Sequence, residues 1–127
     1  MDPYWQDAIR RGDLEAVLTL LHRGTEVNAR DRYGQTGLML ASLAGHGELV
    51  SVLIAHGADP DVTAKFGLNA LMLAIIAEQP HIAAMLAHAG TDLSRCGSGA
   101  PGFAGKTAYD LAVERGMDDL LARLKPI

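Results

Sequence analysis

Residues 31–63 read DRYGQTGLMLASLAGHGELVSVLIAHGADPDVT. Moving 33 positions forward brings back the landmarks of this stretch: Gly34 is followed by Gly67, Ala41 by Ala74 and Gly57 by Gly90. Moving the same distance back finds Ala8 and Gly24, and Asn28 stands in the same register as Asp61. One short unit is therefore written repeatedly along the chain. A unit of this size cannot bury its own apolar face, so copies must stack into a solenoid, and a solenoid offers a long concave surface. Binding is the first expectation from such a chain, and chemistry the second.

Within the unit, Leu49, Val50, Leu53 and Ile54 recur at the spacing of one apolar helical stripe, while Glu48, Ser51 and His56 fall elsewhere. Thr36, Asn69 and Thr107 stand where a side-chain oxygen can cap a first helix. Pro80 suits a first helical position, where its missing N–H would have no partner anyway. Gly24, Gly57 and Gly90 follow the second helices, where a left-handed residue stops the chain.

This arrangement resembles the ankyrin repeat: a turn with Gly34, a first helix opening at Thr36, a Gly45-His46 turn, a second helix, then Gly57-Ala58-Asp59. The resemblance implies an all-α solenoid of stacked helix–turn–helix units joined by β-hairpin-like loops. It implies one domain over residues 1–127, with repeats at 4–30, 31–63, 64–96 and 102–127 and an inserted loop at 97–101. The first and last repeats act as caps. The insertion follows from Gly105, which lies 38 rather than 33 positions beyond Gly67. The family's usual Thr-Pro-Leu-His is here TGLM, NALM and TAYD, so Gly37, Ala70 and Ala108 replace proline, and Met39, Met72 and Asp110 replace histidine. The histidine hydrogen bonds of the family are expected to be absent, with Met39 and Met72 stacked in their place. Gly37 is expected to weaken its helix by up to ~1 kcal/mol relative to alanine. Tyr4, Trp5 and Tyr109 are expected to fill the core between repeats.

Composition sets the outer bounds. The chain has 127 residues and a formal charge of −4, which gives no general reason to expect nucleic acid. Its longest apolar run, residues 70–77, is far short of the ~20 needed to cross a bilayer. The opening MDPYWQDAIRRGD places acids where a secretory signal would be basic and then apolar, so a cytoplasmic protein is expected. Cys96 is the one cysteine, which excludes an intramolecular disulfide. A monomer is expected.

In ankyrin proteins the partner-facing positions are the hairpin tips, the concave side of the first helix and the short turn beyond it. Carried over by register, they hold Arg10, Arg11, Arg23, Arg30, Arg32, Lys65, Lys106 and Arg115, eight of the eleven basic residues, against the single acid Glu114. The groove is expected to be positive although the molecule is negative, and its partner to be another protein with an acidic surface. Tyr33, Phe66 and Phe103, half of the six aromatic residues, map to hairpin tips, and Leu43, Leu68 and Ile76 add apolar side chains on the same side. Gln35 and His56 complete the candidate partner-binding set, which comprises Arg10, Arg11, Arg32, Tyr33, Gln35, Leu43, His56, Lys65, Phe66, Leu68, Ile76, Phe103 and Lys106.

Residues 100–107, APGFAGKT, match a permissive phosphate-loop pattern. Such a loop must follow a buried apolar strand, yet TDLSRC precedes it, and Gly105, Lys106 and Thr107 already serve as turn, tip and helix cap in the repeat register. Small-ligand or nucleotide binding through the glycine-rich loop 97–107 is the alternative function. His22, His46, His56, His81 and His88 show no paired metal-ligand spacing on one helix face. Asp118-Asp119 reads as the acidic start of the last helix rather than as a general acid/base pair. No cofactor, metal or catalytic residue is expected.

Overall fold

A computed structural model describes residues 1–125. Its helices are α1 (Pro3–Arg11), α2 (Leu14–His22), α3 (Gly37–Ala44), α4 (Gly47–Ala55), α5 (Ala70–Ile76), α6 (Pro80–His88), α7 (Ala108–Glu114) and α8 (Leu121–Leu124). Short 3₁₀ turns lie at Lys65–Gly67 and Asp118–Leu120, and the described residues hold isolated β-bridges, Arg30 to Thr36 and Gly97 to Ala104, but no strand. Within each unit α1 packs on α2, α3 on α4 and α5 on α6. Between units α1, α3, α5 and α7 form one row, and α4, α6 and α8 a second. The all-α ankyrin solenoid read from the sequence is the observed architecture.

The caps sit where their residue types require. The Thr36 hydroxyl accepts from the Met39 N–H at 3.3 Å, Asn69 Oδ1 from Met72 at 2.9 Å, and the Thr107 hydroxyl from Asp110 at 3.3 Å. Thr107 and Asp110 also close a reciprocal capping box. Thr36 and Asn69 are each only 1% exposed, so their side-chain oxygens satisfy helix donors that water cannot reach.

Neighbouring units are laced together at the base of the hairpins. Asn28 Oδ1 accepts from the Asp59 N–H at 2.8 Å and its Nδ2 donates to the Gly57 carbonyl at 3.2 Å. One repeat on, Asp61 Oδ1 accepts from the Asp92 N–H at 2.8 Å. At the next equivalent position Ser94 turns back instead, its hydroxyl donating to Asp92 Oδ1 at 2.6 Å. That bond and the Ser94 N–H hold the Asp92 carboxyl below its ordinary value.

The turn between paired helices explains one departure from the repeat. Gly12, Gly45 and Gly116 take left-handed backbone angles there, and Glu78 adopts the same conformation with φ +57°. A Cβ on Gly12 would stand 2.8 Å from the His46 ring, and one on Gly45 would stand 2.9 Å from the Gln79 amide. Gln79 thus occupies under the third unit the place His46 occupies under the second, where His46 Nε2 lies 3.1 Å from the Arg10 carbonyl. Glu78 is the non-glycine residue left in a strained turn. Glu78→Gly is expected to raise stability by about 0.5–1 kcal/mol, the left-handed strain being partly offset by greater freedom of the unfolded chain. A urea midpoint that falls would contradict this.

Trp5, Ile9, Leu38, Met39, Leu53, Leu71, Met72 and Ile75 lie in the core, each no more than 1% exposed. The aromatic expectation needs correction. Trp5 is fully buried and Tyr109 half-buried, but Tyr4 is 79% exposed. Trp5 and Ile9 face Gly37 across the first interface, whereas Tyr4 lines a separate cleft with Arg11, Leu20 and Arg23.

Candidate partner-binding face

The first hairpin tip is held by one carboxylate. Asp31 Oδ1 accepts from the N–H groups of Tyr33 and Gln35, both at 2.9 Å. The Asp31 N–H donates to the Gln35 carbonyl at 2.9 Å, and the Gly34 N–H to the Asp31 carbonyl at 3.0 Å. This closed turn projects Arg32 and Tyr33 outward, with the guanidinium 5.4 Å from the ring centroid and the ring 63% exposed. Arg10, in the last turn of α1, comes from the other side. Arg10, Arg32 and Tyr33 line one cleft of about 350 Å³ together with Met1, Gln6 and Asp31. Sequence reasoning found three of these residues and missed the other three. Asp31 was legible as the position three before Gly34; Gln6 carried no signal.

The second tip is built differently because Ala64 stands where Asp31 stood and has no oxygen to offer. The Ala64 N–H still donates to the Leu68 carbonyl at 2.9 Å, but Phe66 takes φ +64°. Its carbonyl accepts from the Ser98 N–H at 2.7 Å, and its ring lies 5.7 Å from that of Phe103, with the Lys65 amine 4.9 Å above it. The inserted loop therefore folds back onto the preceding tip. A Cβ at Gly97 would meet the Phe103 carbonyl oxygen at 2.5 Å, so only glycine permits the fold-back. Phe66 and Phe103 are half-buried against each other, and Tyr33 is the ring that stands free.

Other members of the candidate set divide by environment. Leu68 is 5% exposed and belongs to the core, which corrects its place among the contact residues. Leu43 and Ile76 are half-buried on the first-helix row, and Gln35 is held in the first turn by its backbone. His56 is exposed at the end of α4, on the second-helix row, with Nδ1 2.8 Å from the Val52 carbonyl of its own helix. Arg11 is engaged by Asp7 at 2.9 Å and Asp13 at 3.4 Å, and Lys106 by Glu114 at 2.6 Å. Arg10, Arg32 and Lys65 make no ion pair among the described residues. The positive charge of this face is thus carried by fewer groups than the register suggests. The central helices of both rows carry little charge: α3, α5 and α6 have no acid, lysine or arginine, and α4 has Glu48 alone, while α8 carries Arg123.

The glycine-rich loop uses its own donors. The N–H groups of Gly97, Ser98, Ala100, Phe103, Ala104, Gly105 and Lys106 all donate to backbone carbonyls, and the Lys106 amine is held by both oxygens of Glu114. A phosphate cradle needs those N–H groups aimed outward. Among the described residues no cluster of histidine, cysteine or acids is placed to hold a metal ion, and no helix is long and apolar enough to cross a membrane.

These features define a class: a solenoid of helical repeats whose hairpin tips stand at the ends of its first helices. The family model for ankyrin repeats matches three copies over residues 5–95, and the chain belongs to the ankyrin-repeat family. No curated protein matches it. Ankyrin repeats are generally protein–protein interaction modules.

Proposed function

We propose that this chain is a non-catalytic binding module that holds a protein with an acidic surface against its hairpin tips and first helices. On this reading residues 102–125 close the stack as a fourth, capping unit, and the molecule acts by occupying its partner, as an inhibitor, immunity-type protein, adaptor or assembly factor. The observation that carries the reading is the gathering of free cations at the end of α1 and on the first two hairpin tips. Among the described residues Arg10 in α1, Arg32 on the first tip and Lys65 on the second make no ion pair, and Arg32 stands beside the exposed Tyr33 ring. Arginine beside an exposed aromatic ring is the composition of an interface centre.

Affinity capture from the source cell tests this, with the wild-type chain beside two variants. A stoichiometric protein partner that is retained by Ser51→Glu on the second-helix row but lost by Arg10→Glu/Arg32→Glu supports the reading. A partner lost only by the second-helix variant contradicts it. Nucleotide binding at loop 97–107 is the competing function, and the inward-donating backbone disfavours it. ATP with magnesium is expected to leave the melting temperature unchanged, because a ligand that binds the native state must raise it. A rise abolished by Lys106→Ala would favour the competing function.

A further inference from the structure

The cleft between α1 and the first hairpin tip holds an unbalanced set of side-chain charges. Arg10 and Arg32 stand against Asp31 alone, and neither arginine is ion-paired among the described residues. Asp31 does not neutralise them directly. Its Oδ1 is occupied by the backbone of Tyr33 and Gln35, and its Oδ2 is buried with no hydrogen-bond partner among the described residues. A buried carboxylate oxygen without a donor costs free energy. A guanidinium carries enough N–H donors to serve that oxygen and a second carboxylate together, and the planar fork matches carboxylate geometry.

The geometry points to this cleft as the receptor for one aspartate or glutamate side chain, presented by an extended segment of the partner. Arg10 and Arg32 hold the carboxylate, and Asp31, whose Oδ2 lacks a donor among the described residues, acts as a positioning residue for the guanidinium that turns to it. The inference rests on the protein-binding reading and names the chemistry of one contact within it. A volume of about 350 Å³ lies at the small end of ligand clefts, suited to a side chain with its adjoining backbone. Two arginines against one aspartate leave the cleft net positive, and the Met1 ammonium, which donates to the Arg30 carbonyl at 3.3 Å, adds to that charge. A carboxylate is the anion whose planar geometry matches the guanidinium fork. The tip is already closed by its own hydrogen bonds, so little ordering is needed when the carboxylate arrives.

The probe is the capped tripeptide acetyl-Gly-Glu-Gly-amide, followed through the backbone amide signals of Tyr33 and Gln35 and the arginine Nε signals. Saturable shifts are expected, with the Gln-containing peptide about tenfold weaker, since a hydrogen bond to a charged group is worth roughly that factor. Arg10→Gln and Arg32→Gln should each weaken the response, while Arg11→Gln, which removes a cation already held by Asp7 and Asp13, should keep it. Asp31→Asn separates positioning from bulk charge. Removing a negative charge would strengthen anion binding on electrostatics alone, whereas loss of the positioned guanidinium weakens it, and weakening is expected with the fold intact by thermal melt. The inference is overturned by equal response to the Glu and Gln peptides, by no shift, by strengthening in Asp31→Asn, or by inorganic phosphate binding more tightly than the Glu peptide. If the captured partner still depends on Lys65 and Tyr33 while the peptide fails, the carboxylate receptor is wrong and the protein-binding reading stands.

Discussion

Gly37→Ala is expected to destabilise the protein by about 1–2 kcal/mol, although alanine is the better helix former by up to ~1 kcal/mol. Gly37 opens α3 and is fully enclosed. A methyl group there would stand 2.5 Å from Ile9 Cδ1 and 3.2 Å from Trp5 Nε1, and both side chains are 0% exposed. Neither can withdraw into solvent, so the interface between the first two units must open. The same geometry excludes the proline that the family usually carries at this position. Ile9→Val removes the offending carbon, at a cost of its own of about 1 kcal/mol. In that background Gly37→Ala should become neutral or stabilising, and a double-mutant cycle by urea unfolding measures the coupling. Additive costs in the cycle would show that the glycine is not there for Ile9.

Phe66→Ala is expected to cost about 2 kcal/mol of folding stability, from the lost ring pair and the apolar area of a half-buried ring. The loss should be concentrated at the inserted loop, since the Ser98 N–H bonds the Phe66 carbonyl and the Phe103 ring rests on the Phe66 ring. Hydrogen exchange at Ser98 should accelerate more than exchange in α5. Phe66→Gly should be less harmful than Phe66→Ala by about 1 kcal/mol, because a residue at φ +64° is relieved by glycine and not by alanine. Unchanged stability and unchanged Ser98 exchange would mean that the ring is a free tip.

The repeat register, the three first-helix caps and the five-residue offset of the last unit were legible because each rests on a residue type with a local duty: a glycine at a left-handed turn, or a hydroxyl or amide oxygen at a helix start. What was not legible depends on relations between units. Phe66 and Phe103 do not occupy equivalent repeat positions, so register could not pair them; the inserted loop does so by folding back. Lys106 reads as a groove cation until α7 brings Glu114 to its amine. Leu68 follows the tip glycine just as Gln35 does, yet one is buried and the other partly exposed, a difference set by side-chain polarity that register alone does not weigh. Glycine at position 37 reads as a weakness of α3 because the clash that excludes a larger residue lies across the interface, on Ile9.

The most direct measurement of the central claim is the association rate with the captured partner at two ionic strengths. Wild type is compared with Arg10→Glu/Arg32→Glu and with Ser51→Glu on the second-helix row. If the unpaired arginines face an acidic partner, the double reversal should slow association about 10–100-fold at low salt, and the rate should lose most of its salt dependence, because such charges steer encounter. Ser51→Glu should leave both unchanged. Equal association rates for wild type and the double reversal, with salt dependence intact, would place the partner on another surface and contradict the account.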